Sequence, residues 1–462
     1  MEQDTFNPLA TEHIGKLLLQ YAIPSIISLL IGSLYNIVDQ IFVGNGVGYL
    51  GNCATSIIFP LTVIGLAIAL LIGDGTAAHL SLCQGRNQTE DFHFCLGNGL
   101  VLCTILSIIY MIFFFMFTDS ILTAFGATEV TLPYAREYGT VIFMGMPFYM
   151  ISNLLSGVIR ADGSPQISML AMASGAIFNV IFDPIFIFVF QMGVQGAAIA
   201  TILGQILSCV IAVLYLLKSK TFRLKLKSFR PKFGAVAQVL PLGISSFLTQ
   251  AAIVLTSGVS NMLLVKYGVD SVYGSDIPIA VMGIVMKVFA IVISIAIGLA
   301  IGSQPIIGFN YSAGNYKRVR DTFKLTTILT VAVAVVATII FEFFPHVLIR
   351  VFGNEGEAYV TFAVLCFRIY LCLILFTCFQ KSAGVFLQAI GKPIQSIIVS
   401  ISRDLLFQFP AMIIMSSLWG ITGLLWAAPA ADILAFVIAL IFVIVEMKHM
   451  ERVIKQRGIS HE

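Results

Sequence analysis

Two aspartates stand where a membrane-spanning sequence would normally carry none. Asp39 lies in Tyr35-Asn-Ile-Val-Asp-Gln-Ile-Phe-Val-Gly44, and Asp183 in Asn179-Val-Ile-Phe-Asp-Pro-Ile-Phe-Ile-Phe188. Each has a polar residue four positions earlier, Tyr35 and Asn179, a spacing that puts both members of a pair on one helix face. Ionisable groups inside lipid are costly and are usually retained for function. No Lys or Arg falls in the first six apolar runs away from their ends, so neither carboxylate has an obvious ion-pair partner. Two such acids at similar depth suit a shared proton, because burial and mutual repulsion disfavour two adjacent negative charges. They also suit a hard monovalent cation such as sodium, with oxygen ligands from Asp39, Asp183, the Asn179 amide and a nearby hydroxyl. The alternative is a structural role, in which each aspartate binds polar neighbours and ties helices together.

Other ionisable residues read less sharply. Asp74 and His79, in Gly73-Asp-Gly-Thr-Ala-Ala-His79, are candidates for gating or for lining a cavity. A solvated helix end or a satisfied core histidine is the simpler explanation. The second half holds Lys287, Glu342, Arg368, Lys381, Arg403, Asp404 and Asp432 in or near apolar runs. Opposite signs coexist there, so internal pairing is the default, with Arg403 and Asp404 a partner set for another span. Lys287, near the middle of its run, could line a cavity or pair with an acid across it. The eight cysteines form no CxxC pair and no Cys/His cluster, and read as small core hydrophobes. HExxH and Gly-x-Ser-x-Gly patterns are absent, so no catalytic residue, resident metal or cofactor is expected beyond a coupling proton or sodium.

The elements that must position these residues follow from composition. Of 462 residues, 58% are hydrophobic and 11% charged, against about 25% charged in an ordinary soluble domain. Lipid must cover most of such a chain. In lipid every backbone polar group needs an internal partner, and the apolar runs lack the alternation of barrel strands, so the spans are helices. Twelve are expected, near 17–43, 53–80, 95–117, 138–160, 168–190, 197–217, 236–265, 279–306, 325–344, 359–387, 395–416 and 422–446. With the N-terminus inside, nineteen Lys and Arg fall in inside segments and three in outside loops. That bias places both termini in the cytoplasm. The basic stretch 218–232 reads as a cytoplasmic linker held near anionic lipid rather than as a nucleic-acid patch.

The halves repeat at an offset near 227. Phe125-Gly126 matches Phe352-Gly353, Gly163-Ser-Pro165 matches Gly391-Lys-Pro393, and Gly193-x-x-Gly196 matches Gly420-x-x-Gly423. The expected fold is therefore all-α and integral to the membrane. Twelve transmembrane helices form two pseudo-symmetric six-helix bundles around a central cavity. The expected divisions are an N-terminal lobe over 1–217, a linker over 218–234, a C-terminal lobe over 235–447 and a cytoplasmic tail over 448–462.

Together these residues resemble the multidrug and toxic compound extrusion (MATE) family. The resemblance rests on Tyr35–Gly44, Asn179–Phe188, Gly163-Ser-Pro165, Gly196-Ala-Ala-Ile-Ala-Thr201 and Gly302-Ser-Gln-Pro-Ile-Ile-Gly-Phe-Asn-Tyr-Ser-Ala-Gly-Asn315. It implies a cation-coupled antiporter of the bacterial inner membrane, exporting small organic compounds that are often cationic, with proton or sodium as coupling ion. It also implies a cation site at Tyr35, Asp39, Asn153, Asn179, Asp183 and Thr201. The chain departs from the branch that carries an acid in the seventh span, where only Gln250, Thr256, Ser257 and Asn261 offer polar groups. A monomer without nucleic-acid partners is expected. A lipid-linked precursor flippase of similar two-lobe shape is the rival reading, and it would need a markedly cationic cavity.

Overall fold

The computed structural model describes residues 8–86, 88, 92–274, 276–352 and 356–459. Gly353 of the expected repeat lies outside them, as do the first seven and last three residues of the chain. Among the described residues every regular element is a helix.

Eight long helices run without interruption: α1 (Ile14–Val47), α2 (Tyr49–Gly85), α3 (Phe92–Met116), α4 (Leu132–Ala161), α6 (Gly193–Leu216), α7 (Phe233–Val269), α8 (Asp276–Ser312) and α9 (Tyr316–Phe343). Three of the other four spans are interrupted, and the fourth begins at a break. α5 (Pro165–Pro184) continues into a π-helical turn, Ile185–Val189. α10 is bent by 48° between Glu357–Tyr370 and Ile374–Ala389. α11 (393–418) carries a π-helical turn at Ser402–Gln408, and non-helical angles at Trp419 and Gly420 separate it from α12 (421–459). Among the described residues, length and apolarity qualify ten stretches as spans, eleven with the bent α10. The break at Trp419-Gly420 divides the last stretch in two, which makes twelve.

Local chemistry explains the boundaries. Pro133, Pro165 and Pro393 stand in the first helical positions of α4, α5 and α11, where a missing N–H costs nothing. The turn before α5 and the turn before α11 are the same device. Gly163 and Gly391 take positive φ (82° and 74°), and the next residue donates its N–H back to the preceding helix, Ser164 to Ile159 O at 3.1 Å and Lys392 to Leu387 O at 2.9 Å. That pattern closes a helix C-terminus, and glycine accepts it most readily. The repeat seen in sequence is thus repeated in backbone hydrogen bonding.

The chain forms two compact units, one of residues 23–250 and one of residues 8–22 with 251–459. In the amino-terminal unit, Phe114 and Phe143 stack with centroids 3.7 Å apart within a core built on α2, α3 and α4. There α7 crosses α2 at backbone contact, since a Cβ on Gly243 would lie 1.7 Å from Leu71 O and one on Gly75 would lie 2.4 Å from Val239 O. Small residues permit such crossings in membranes. In the carboxy-terminal unit, Phe362, Phe367 and Cys366 of α10 anchor the core. The short helix Pro8–Thr11 is tied down there, with Asn310 Nδ2 donating to Leu9 O at 2.9 Å and Arg318 Nε to the same oxygen at 3.0 Å.

The basic linker is docked on the amino-terminal unit. Buried Asp162 accepts from Tyr215 OH at 2.6 Å, from the Lys220 N–H at 2.8 Å, from the Thr221 N–H at 3.0 Å, and from the Thr221 hydroxyl. Asn98 holds the far end, accepting from the Lys232 N–H at 2.8 Å and donating to Arg230 O at 3.0 Å.

Candidate functional site

The site is built on α1, α4, α5 and α6. Asp39 and Tyr35 share a face of α1, and Asn179 and Asp183 share a face of α5. Asn153 projects from α4 and Thr201 from α6. Asn179 is the hub: its Nδ2 donates to Asp183 Oδ1 at 3.0 Å and to Thr201 Oγ1 at 3.0 Å. The Asp39 and Asp183 carboxyl groups are close enough to interact electrostatically. All three polar residues are buried, with exposures of 6% for Asp39, 2% for Asn179 and 0% for Asp183.

Three oxygens at this point have no hydrogen-bond partner among the described residues: Asp39 Oδ1, Asn179 Oδ1 and Asp183 Oδ2. Buried acceptors are rarely left unpaired, and a carboxylate least of all. Neither aspartate forms an ion pair with Lys or Arg among the described residues. Beside them lies a pocket of about 60 Å³, lined by Tyr35, Tyr149, Asn153, Asn179, Thr201 and Gln205 among others. That volume admits more than one water molecule. Asn153 turns its Nδ2 to Tyr149 O at 2.8 Å, which leaves its carbonyl oxygen as the acceptor it can offer. The structure therefore brings all six residues into one neighbourhood. The donor set, two carboxylates with amide and hydroxyl oxygens, suits a proton or a hard monovalent cation.

The other sequence candidates do not join this site. Asp74 accepts from Ser246 Oγ at 2.7 Å, which links α2 to α7. His79 lies 3.4 Å from Cys83 Sγ and stacks on Phe92. Lys287 makes no ion pair among the described residues. Arg403 and Asp404 belong to a separate buried network with Lys381 and Asp432. Two residues near the site were not singled out by sequence. Tyr138 of α4, buried, interacts electrostatically with both aspartates. Gln205 lines the pocket one turn after Thr201, and that i, i+4 spacing on α6 was the available signal.

The family model described as MatE matches residues 24–185 and 245–414. The chain belongs to the MATE family. It is a multi-pass membrane transporter and not an enzyme. The multidrug export protein MepA of Staphylococcus haemolyticus is 25% identical over 93% of each chain. The MepA of Staphylococcus aureus strain N315 is 26% identical over 93% of each chain. A solved structure of the MATE multidrug transporter DinF-BH, in complex with a ligand, is 32% identical, covers 96% of this chain and 98% of its own, and matches with a TM-score of 0.88. An outward-facing MATE transporter of the MOP superfamily, 21% identical, shows the same two-lobe fold with a TM-score of 0.89 over 98% of this chain and 100% of its own. As a MATE transporter, the chain is expected to draw on an ion gradient.

Proposed function

We propose that this transporter exports small amphipathic organic compounds, mainly cationic ones, in exchange for protons or sodium by alternating access. Asp39 and Asp183 are the coupling acids. The observation that carries this reading is the group of three unpartnered buried oxygens contributed by Asp39, Asn179 and Asp183. Multidrug export is the activity named for the relatives, and the related DinF-BH multidrug transporter was solved with a ligand bound. The six-helix halves, 1–217 and 235–447, would act as the two moving lobes across the 218–234 linker. They would do so in a bacterial inner membrane, as a monomer with both termini in the cytoplasm.

The mechanism follows from charge. Without a bound cation, two neighbouring carboxylates repel and α1 and α5 are pushed apart. A shared proton, or a sodium ion held by the carboxylates with Asn179 and Thr201, removes that repulsion and draws the helices together. Coupling requires such a difference in affinity between two states. α5 can respond, because Pro184 lacks an N–H and the next turn is π-helical, both features that loosen a helix.

The flippase alternative finds no support. Of the four cations that could have lined such a cavity, Lys381 and Arg403 are held by Asp404 and Asp432, Arg368 Nε donates to Glu342 O at 3.2 Å, and Lys287 alone is left outside these contacts among the described residues. Efflux from proteoliposomes with a pH gradient and a sodium gradient imposed separately tests the reading. One gradient should drive uphill efflux in wild type and fail to do so in Asp183→Asn. Uphill efflux by Asp183→Asn with unchanged ion dependence would overturn it.

A further inference from the structure

The carboxy-terminal unit contains a second polar centre that the reading above leaves unused. Arg403, in the π-helical turn of α11, donates through Nε to Asp432 Oδ1 at 2.7 Å. Its Nη1 donates to Asp404 Oδ1 at 2.7 Å and to Gln408 Oε1 at 3.0 Å. Lys381 Nζ donates to Asp404 Oδ2 at 3.0 Å, and Thr377 Oγ1 to Asp432 Oδ1 at 2.8 Å. The guanidinium also lies 5.5 Å from the centroid of the Phe289 ring. Two positive and two negative charges, Lys381 partly buried and the other three buried, sit together with no net charge.

The internal repeat shows what this centre corresponds to. Ser168 Oγ donates to Ser156 O at 3.0 Å, and Ser396 Oγ to Gly384 O at 2.9 Å. Both partners are displaced by 228 residues, as is the Gly163 and Gly391 turn. Gly193 and Gly420, which open the last helix of each half at positive φ, are displaced by 227. Carried across, Tyr149 matches Thr377, Asn153 matches Lys381, Gly175 matches Arg403, Ala176 matches Asp404 and Gln205 matches Asp432. Those first members all line the 60 Å³ pocket beside Asp39 and Asp183. All five second members belong to the charged network. Where the amino-terminal unit has an open polar pocket, the carboxy-terminal unit has a guanidinium.

We propose that the carboxy-terminal unit holds a second cation site whose cation is its own Arg403 side chain. Asp404 and Asp432 are the ligands of that site, and the fixed guanidinium excludes sodium and other monovalent cations from it. The unit is thereby kept in its cation-filled packing throughout the cycle, and ion coupling falls to the amino-terminal site alone. The inference rests on the reading of that amino-terminal pocket as a cation site. A buried ion network is not in itself a source of stability, since a well-packed apolar core does as well. Removing one partner, however, leaves the opposite charge exposed to any small cation able to replace it.

The test uses the purified full chain in thermal unfolding. Arg403→Ala should melt below wild type and regain at least half of the lost melting temperature on titration with guanidinium chloride at millimolar levels. Equal concentrations of urea should do nothing, and wild type should not respond. Asp432→Asn added to Arg403→Ala should abolish the rescue. A melting temperature insensitive to guanidinium would overturn the proposal. Should Arg403→Ala not fold, a second chain decides. Asp39→Asn/Asp183→Asn keeps the carboxy-terminal unit intact and should show no stabilisation by sodium. Sodium-dependent stabilisation in that chain, lost on adding Asp432→Asn, would show that Arg403 leaves the site open and would equally overturn the proposal. If wild type also lacks any ion response, the coupling role of Asp39 and Asp183 fails while the guanidinium result still stands by itself.

Discussion

Asp162→Ala is expected to release the linker. The Asp162 carboxylate, 2% exposed, takes four donors: the Tyr215 hydroxyl, the Thr221 hydroxyl, and the backbone N–H groups of Lys220 and Thr221. Tyr215 retains Ser164 Oγ at 2.9 Å as a partner, and the Thr221 hydroxyl still has Gln84 Nε2 at 3.3 Å. The two backbone donors lose a charged acceptor. A hydrogen bond to a charged group contributes roughly 1.5–3 kcal/mol, so two amount to about 3 kcal/mol at the low end. Water at the helix ends offsets part of this, and Phe222, buried beside Phe92 at 5.3 Å between centroids, still holds the segment. A net cost of about 2 kcal/mol raises the undocked fraction on the order of thirtyfold. Trypsin reads that fraction, because the segment 218–232 carries seven Lys and Arg. With protease present in limiting amount, cleavage in the linker should accelerate by about that factor while cleavage elsewhere changes little. A linker cleavage rate within twofold of wild type would refute the reasoning.

Three further outcomes follow from the packing. Gly243→Ala places a methyl 1.7 Å from Leu71 O, so α7 must move off α2; a loss of about 1–3 kcal/mol should appear as a lower melting temperature, and an unchanged one counts against the close crossing. Thr201→Val removes an acceptor of Asn179 at a cost of about 1 kcal/mol, and ion-driven efflux should weaken more than fold stability, measured on the same preparation. Arg136→Ala breaks a pair with Asp119 at 2.6 Å that is more than half exposed on both sides, so stability should change by less than about 1 kcal/mol and efflux not at all.

The spans and the two buried aspartates were legible because lipid allows few exceptions. Asp39 and Asp183 stand out in charge-free runs, and a four-residue period suffices to pair them with Tyr35 and Asn179. Asp162 and Asn98 carry no such signal, since polar residues at helix ends are common and their partners lie 53 to 134 residues away in sequence. The pairing of Arg403 with Asp432, 29 residues apart, depends on how α11 packs against α12. The bend in α10 falls at Leu371-Cys-Leu373, with neither Gly nor Pro to mark it. The π-helical turns at 185–189 and 402–408 are likewise set by packing, although Pro184 and Pro410 stand at their borders.

In the proposed cycle Asp39 and Asp183 act as one cation site. A double-mutant cycle measures that directly, with ion-driven efflux in proteoliposomes compared for wild type, Asp39→Asn, Asp183→Asn and the double variant. If the two carboxyls serve one cation, each single substitution abolishes coupling and the double variant is no worse than either. Independent, additive losses, or full coupling retained in either single variant, would contradict it.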